Sequence, residues 1–99
     1  MTERIIWSPK AEKDLENILD YLFENWGQKI TVRFLDNISY LIKQIENTPE
    51  RYPVINKDLN VRKCVLTKQN TLFYRVINNK IEILRVYDTR QDPKKLKFS

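Results

Sequence analysis

Apolar residues in the first half of the chain recur at helical spacing. After Pro9 they follow one another at intervals of four, three, four and four, at Ala11, Leu15, Ile18, Leu22 and Trp26, which marks one face of a helix. Ser8 before Pro9 is typical of a helix start, and Gly27 of a helix end. A second helical set stops before Pro49 and comprises Phe34, Leu35, Ile38, Leu41, Ile42 and Ile45. We therefore predict an αα-hairpin joined at Gly27, with Trp26 packed on a sheet.

β-Branched and aromatic residues dominate the rest of the chain in short runs. They predict a first strand at residues 3–7 and three more near residues 61–67, 71–77 and 81–87, with asparagine-containing turns between the last three. Residues 49–60 contain two prolines and are predicted to form a surface connection. The order β-α-α-β-β-β indicates an α+β fold, in which the αα-hairpin packs on one face of a largely antiparallel four-stranded sheet.

Charge divides the chain into two unlike halves. Residues 1–50 hold six Lys/Arg against nine Asp/Glu, a net charge of −3, whereas residues 51–99 hold twelve against four, a net charge of +8. We predict a single domain over residues 1–99, in which residues 91–99 could be a flexible basic tail. A basic surface of this kind attracts polyanions or an acidic protein partner.

Missing residue types exclude several classes of site. The sequence has no histidine, so it cannot form Ser-His-Asp or Cys-His nucleophilic sites or a histidine-ligated metal site. Its single glycine excludes phosphate-binding glycine loops, and its single cysteine excludes a disulfide or a cysteine-based zinc site. No cofactor and no metal are therefore expected. Because no apolar run is long enough to cross a membrane and no secretory signal is evident, we expect a cytoplasmic protein without membrane association.

Several short motifs together resemble a known family. They are the A-x-x-D-L-x-x-I-x-x-Y-L pattern at residues 11–22, Tyr74 in the third strand, and T-R-Q at residues 89–91 after the last strand. In this combination and element order, the chain resembles the RelE/ParE toxins of bacterial type II toxin-antitoxin modules, and it is closer to the ParE-like, plasmid-stabilisation members. The resemblance implies a small cytoplasmic toxin that a cognate antitoxin neutralises and that could form a homodimer when free.

The resemblance implies one of two activities: RelE-like members cleave mRNA on the ribosome, and ParE-like members poison DNA gyrase. The RNA-cleaving surface uses a basic residue in the second strand, where Arg62 or Lys63 matches, and an arginine after the last strand, where Arg90 matches. Thr71 stands where those members have arginine, and residues 91–99 lack their tyrosine. We therefore favour gyrase-type poisoning over metal-independent RNA cleavage, in which Arg62 and Arg90 would be catalytic. A non-enzymatic basic nucleic-acid-binding module is the second alternative.

The candidate binding residues lie in or near the basic strands. Those for a target or an antitoxin are Arg62, Lys63, Lys68, Tyr87, Asp88, Arg90, Lys94 and Lys95. Ordinary solvated surface charge is the alternative for the basic residues, whereas for Tyr74 and Tyr87 we expect packing in the sheet in preference to a functional contact. Arg90 is the strongest single candidate, because it follows the last strand beside a turn and has a counterpart in the family.

Other strand residues have chemistry that the two activities could use. The groups that could transfer a proton in an RNA-cleaving site are Tyr74, Tyr87 and Asp88. Arg75 and Glu82 face one another across the predicted Asn78-Asn79 turn, so we expect a cross-strand ion pair in preference to a ligand contact. Cys64 lies between apolar strand residues and is expected to be a buried, inert thiol.

Overall fold

Two helices lie on one face of a five-stranded sheet. The structure, a computed structural model, describes residues 4–91 together with Lys94, Leu96 and Phe98. Its elements are β1 (Ile5–Trp7), α1 (Pro9–Trp26), α2 (Gln28–Asn47), a 3₁₀ turn (Pro49–Arg51), β2 (Val54–Asn56), β3 (Val61–Val65), β4 (Asn70–Ile77) and β5 (Lys80–Asp88). Within these residues, neither helix combines the length and the apolar character that a bilayer span requires.

Local signals place the αα-hairpin as predicted. The Ser8 hydroxyl accepts a hydrogen bond from the Ala11 amide at 3.0 Å and donates one to the Leu84 carbonyl at 2.8 Å. Ser8 therefore both caps α1 and ties its start to β5. At the other end, Gly27 adopts a φ of 87°, a conformation that costs least for glycine. Its amide donates to the Leu22 and Phe23 carbonyls, which closes α1 before α2 begins.

The sheet has one strand more than predicted, and it is mixed. Its order is β1-β5-β4-β3-β2. The short β2 pairs with β3 through Val54 and Asn56, in a segment that the two prolines led us to assign to a surface connection. β1 runs parallel to β5, with Trp7 opposite Ile83. The prediction of four largely antiparallel strands was wrong in these two details, whereas the α+β architecture with both helices on one face is confirmed.

Two asparagines make the tight turn between β4 and β5. Asn78 and Asn79 have φ values of 51° and 62°, the left-handed conformation that a two-residue hairpin turn requires and that asparagine tolerates. Further along the same pair of strands, Tyr74 lies opposite Ile83 while Phe73 lies opposite Arg85, so Leu84 is an extra residue in β5. Because of this bulge, the alternation of β5 side chains between the two faces of the sheet shifts by one residue after Leu84.

The main core lies between the helices and the sheet. Its buried members are Ala11, Phe34, Ile38, Ile45, Cys64, Leu66, Leu72, Tyr74, Ile81, Ile83 and Val86. Burial raises the pKa of the Cys64 thiol, so this cysteine stays protonated and unreactive. Trp26 does not join the core, because its side chain is 65% exposed and Phe23 one turn earlier is 55% exposed. The prediction that Trp26 packs on the sheet was wrong.

A smaller core covers the other face of the sheet. Its buried residues are Val61, Phe73, Leu84 and Tyr87, and the half-buried Leu59, Leu96 and Phe98 pack against them. The Phe98 and Phe73 ring centroids are 5.2 Å apart, a favourable aromatic contact. Two residues of the predicted flexible tail, Leu96 and Phe98, therefore contact the sheet. The rest of that prediction, at residues 92, 93, 95, 97 and 99, lies outside the described residues.

Candidate functional site

A polar cleft opens between α1 and the end of β5. It has a volume of about 220 Å³. Its polar lining residues are Asp14, Asn17 and Tyr21 of α1, Gln69 and Asn70 of the β3–β4 turn, and Asp88, Arg90 and Gln91 at the end of β5. Ile18, Leu22, Val86 and Tyr87 complete the lining. Three separate parts of the sequence thus meet here and bring polar side chains together in one concave site.

A bidentate ion pair fixes α1 to β5 at the base of the cleft. Arg85 donates from Nε to Asp14 Oδ2 at 2.7 Å and from Nη2 to Oδ1 at 3.0 Å. Oδ2 also accepts from the Val86 amide at 3.0 Å, so the Asp14 carboxylate satisfies a donor on the edge of β5. The hydrogen bond to Asp14 is the main reason that the pKa of Arg85 is raised. Both side chains are largely buried, at 15% and 17% exposure, and this pair therefore has a structural role.

A second bidentate pair lies at the mouth of the cleft. Arg90 donates from Nη2 to Asp88 Oδ2 at 2.7 Å and from Nε to Oδ1 at 3.0 Å, and its amide also donates to Oδ1 at 2.9 Å. The hydrogen bond from the Arg90 side chain lowers the pKa of Asp88, despite an opposing effect of burial. The same bond raises the pKa of Arg90, with a smaller contribution of the same sign from the Tyr21 hydroxyl. Asp88 is therefore ionised at neutral pH and Arg90 is protonated.

The β3–β4 turn holds the segment that carries Arg90. Thr89 donates to the Gln69 carbonyl from its amide at 2.7 Å and from its hydroxyl at 3.1 Å. The Thr67 hydroxyl in turn accepts from the Gln69 and Asn70 amides, both at 3.2 Å. Because the turn is braced on both sides, the residues after β5 keep a defined position beside the cleft.

Arg62 makes its hydrogen bonds outside the cleft that Arg90 lines. Arg62 Nη1 donates to the Glu50 carbonyl at 3.0 Å and to the Tyr52 carbonyl at 2.6 Å, so it fastens the connection between α2 and β2. It is not among the described residues that line the cleft. The catalytic roles predicted for Arg62 and Arg90 in an RNA-cleaving toxin therefore stay a prediction. Sequence spacing could not reveal the Arg62 contacts, because the acceptors are backbone carbonyls of the connection.

The other predicted basic residues have different positions. Lys63 is exposed in β3, opposite Phe73, and it does not line the cleft. Lys68 is exposed in the β3–β4 turn, next to the lining residue Gln69. Lys94 is exposed, whereas Lys95 lies outside the described residues. Of the predicted binding residues, the fold therefore brings Tyr87, Asp88 and Arg90 together in the cleft and leaves Lys68 at its rim.

Two strand tyrosines are buried, as the packing alternative expected. The Tyr74 hydroxyl donates to the Pro49 carbonyl at 2.6 Å, and burial raises the pKa of Tyr74 far above its ordinary value. Tyr87 is 5% exposed, and its ring centroid lies 5.3 Å from the Arg85 guanidinium carbon. Tyr74 is thus unsuited to act as a base at neutral pH.

Arg75 donates from Nε to Glu82 at 2.8 Å, which confirms the predicted cross-strand pair.

Sequence reasoning missed the part of the cleft that α1 contributes. Asp14, Asn17 and Tyr21 are spaced by three and four residues, so they share one helical face. That spacing was available in the sequence and overlaps the family motif at residues 11–22. The sequence alone could not show which residue this helical face contacts, because Arg85 is 71 residues away from Asp14.

The chemistry of the cleft favours binding over proton transfer. Its ionised groups are already paired with one another, and Asn17, Gln69, Asn70 and Gln91 contribute neutral amides. Among the residues that the structure describes, no group of three or more His, Cys, Asp or Glu side chains could hold a metal ion. The arrangement presents hydrogen-bond donors and acceptors in fixed positions, which suits recognition of a partner's polar groups.

Comparisons with known proteins place this fold and sequence in a family. Residues 5–93 match the profile described as ParE toxin of type II toxin-antitoxin system, parDE. The chain is 27% identical over 93 residues to Toxin ParE1 of Mycobacterium tuberculosis (strain CDC 1551 / Oshkosh), which covers 93% of this chain and 95% of that protein.

Solved structures have the same fold. A chain of the chromosomal ParDE TA system from P. aeruginosa superimposes with a TM-score of 0.71 at 22% identity, covering 85% of this chain and 92% of that one. The YoeB/ParE toxin from Agrobacterium tumefaciens gives a TM-score of 0.65 at 16% identity, with 86% and 96% covered. With the profile match over residues 5–93, the chain belongs to the ParE toxin family of type II toxin-antitoxin systems.

Proposed function

We propose that this toxin arrests growth by binding an essential target, with gyrase-type poisoning as the mechanism, and that it does not cleave RNA. The observation that carries the proposal is the Asp88–Arg90 pair in the cleft. RNA cleavage at the 2′-hydroxyl needs a base, an acid, and cations for the charged transition state. Of the two arginines predicted to be catalytic, Arg90 lines the cleft and Arg62 does not, and arginine cannot transfer a proton at neutral pH.

Neighbouring side chains do not supply the missing proton transfer. Tyr74 is buried and hydrogen-bonded to Pro49. Asp88 is held ionised by Arg90, so it is a weak base and cannot serve as an acid near pH 7. A cleft of paired charges and neutral amides is better suited to a protein surface. We therefore favour gyrase over mRNA on the ribosome as the target, and we propose that the toxin acts in the cytoplasm, where gyrase is found.

A cognate antitoxin would neutralise the toxin by covering the αα-hairpin and the basic half of the chain. A groove of about 520 Å³ between α1 and α2 is lined by Leu19, Asp20, Phe23, Gln28, Thr31 and Val32. Its apolar side chains suit an apolar helix or extended segment, and acidic residues in the same partner would complement the +8 half of the chain. Two of the similar structures come from a YoeB-YefM complex and a YoeB-YefM toxin-antitoxin complex of Staphylococcus aureus.

Growth assays test the toxin and antitoxin roles. Induction of this chain alone should arrest growth, and co-expression of the small open reading frame beside its gene should restore it. Phe23→Asp should keep the toxicity but weaken the rescue, because it places a charge in the apolar groove. Tyr40→Asp is the matched control, since Tyr40 is 62% exposed on α2 and does not line the groove. Normal growth at good soluble expression would refute the toxin role.

A second pair of assays tests the mechanism. Purified toxin should inhibit gyrase supercoiling, and Arg90→Ala should raise the half-inhibitory concentration about tenfold. Lys57→Ala, which removes an equal charge from the exposed turn before β3, should have no effect. Ribosome-dependent mRNA cuts that Arg90→Ala abolishes would establish the RelE-type alternative instead. Sedimentation equilibrium of the free toxin would show whether it forms a homodimer.

A further inference from the structure

The Asp88 carboxylate occupies the edge of Arg90 that a phosphate would use. Nε and Nη2 of a guanidinium form one fork, which binds carboxylates and phosphates in the same bidentate geometry. In this fork, Nη2 lies 2.7 Å from Oδ2 and Nε lies 3.0 Å from Oδ1. A nucleic-acid phosphate could reach these two nitrogens only after Asp88 had left them.

Backbone contacts keep Asp88 in this position. The Arg90 amide donates to Oδ1 at 2.9 Å, so the carboxylate is held by the main chain as well as by the side chain. Thr89, between the two residues, is bound to the Gln69 carbonyl. The pair is therefore part of a braced turn. The pair also carries no net charge, so it attracts a polyanion less strongly than an isolated arginine would.

The remaining donors at the mouth of the cleft suit a protein. Asn17, Gln69 and Asn70 line the same cleft as Arg90 and contribute neutral amides. Neutral amides match the carbonyl and amide groups of a peptide, which need no charge compensation.

We propose that Asp88 is a specificity residue: by holding Nε and Nη2 of Arg90, it makes the cleft reject nucleic-acid phosphates and accept a protein partner. The inference rests on the proposed target-binding function and deepens it, because it names the class of molecule that the cleft binds. It also explains how a toxin with a strongly basic half can have an arginine in its cleft without using it on RNA.

Fluorescence anisotropy with a short fluorescein-labelled single-stranded RNA tests the inference. Asp88→Asn keeps an oxygen for the Arg90 amide but removes the charge. We expect it to bind this RNA about tenfold more tightly than the wild-type chain at low salt. The slope of log affinity against log salt should steepen by about 0.7, the value for one additional phosphate contact on a single strand.

Two variants separate this effect from general charge. Asp58→Asn makes the same change in net charge in the exposed turn before β3, and it should leave the slope unchanged. The double variant Asp88→Asn/Arg90→Ala should return to wild-type affinity. An unchanged affinity in a folded Asp88→Asn protein, verified by circular dichroism, would overturn the inference, as would a gain that persists in the double variant. Neither result would affect the growth and supercoiling assays, so failure here is distinct from failure of the proposed function.

Discussion

Two arginine–aspartate pairs flank the same cleft but differ in how they are built. Arg85 and Asp14 are 71 residues apart in sequence and are 15% and 17% exposed. Arg90 and Asp88 are two residues apart, and their side chains are 55% and 23% exposed. Both pairs are bidentate. The first joins a helix to a strand, whereas the second is closed within one turn.

The two pairs therefore differ in how strongly folding depends on them. Removing one partner of a buried pair leaves a charge and hydrogen-bonding groups without compensation, which is strongly destabilising. An exposed pair exchanges its partner for water at little cost. Only the exposed pair can therefore be removed with little effect on folding. The contrast predicts that substitutions at Asp14 affect folding, and that equivalent substitutions at Asp88 affect recognition.

The largest effect is expected from Asp14→Ala. It leaves the Arg85 guanidinium and the Val86 amide without their acceptor, and it should lower the free energy of unfolding by about 2 to 3 kcal/mol. Urea denaturation measures this directly. Asp88→Ala is the matched control at the exposed pair, and its cost should be below about 0.5 kcal/mol. An equal loss of unfolding free energy in the two variants would show that both pairs contribute equally to stability.

A smaller effect is expected from Arg85→Lys, which preserves charge but not the fork. Lysine can make one of the two hydrogen bonds to Asp14, so the free energy of unfolding should fall by about 1 kcal/mol. Arg90→Lys, the equivalent change at the exposed pair, should leave the urea midpoint unchanged. A loss at Arg85 as large as that of Asp14→Ala would mean that geometry, more than charge, holds α1 to β5.

The two pairs also show what sequence could and could not predict. Local signals were sufficient for the αα-hairpin, because Ser8, Pro9 and Gly27 mark its ends, and for the β4–β5 turn at Asn78 and Asn79. Arg90 was identified as a candidate because it follows the last strand. Its partner is two residues away, yet the pairing depends on a turn whose geometry the sequence does not specify.

Long-range contacts were the part that could not be predicted. The Arg85–Asp14 pair depends on the Leu84 bulge and on where α1 crosses β5, and no local pattern encodes either. For the same reason, the parallel pairing of β1 with β5 was missed, since it joins residues at opposite ends of the chain. Trp26 fits the helical stripe of α1, but periodicity does not reveal that this residue is largely exposed.

Arg90→Ala should separate stability from function. Because Arg90 is exposed and water can take its place at Asp88, the thermal midpoint should match that of the wild-type chain. Target inhibition should nevertheless weaken, as in the supercoiling assay proposed above. Differential scanning fluorimetry on the same protein samples provides the comparison. A clear fall in the thermal midpoint would place Arg90 with Arg85 as a structural residue.

The smallest expected effect is a pH dependence at the exposed pair. The pKa of Asp88 in the folded chain lies below its ordinary value of 3.8, mainly because of the hydrogen bond from Arg90. The unfolded chain thus takes up this proton first as the pH falls. The contribution of Asp88 to stability is therefore fully present above pH 3.8 and is lost as the pH falls through the lower folded-state pKa. Urea denaturation of the wild-type chain and Asp88→Asn should differ by a few tenths of a kcal/mol at neutral pH, and the two should converge in acid. A difference that persists below the folded-state pKa would mean that the charge of Asp88 is not the source of the stabilisation.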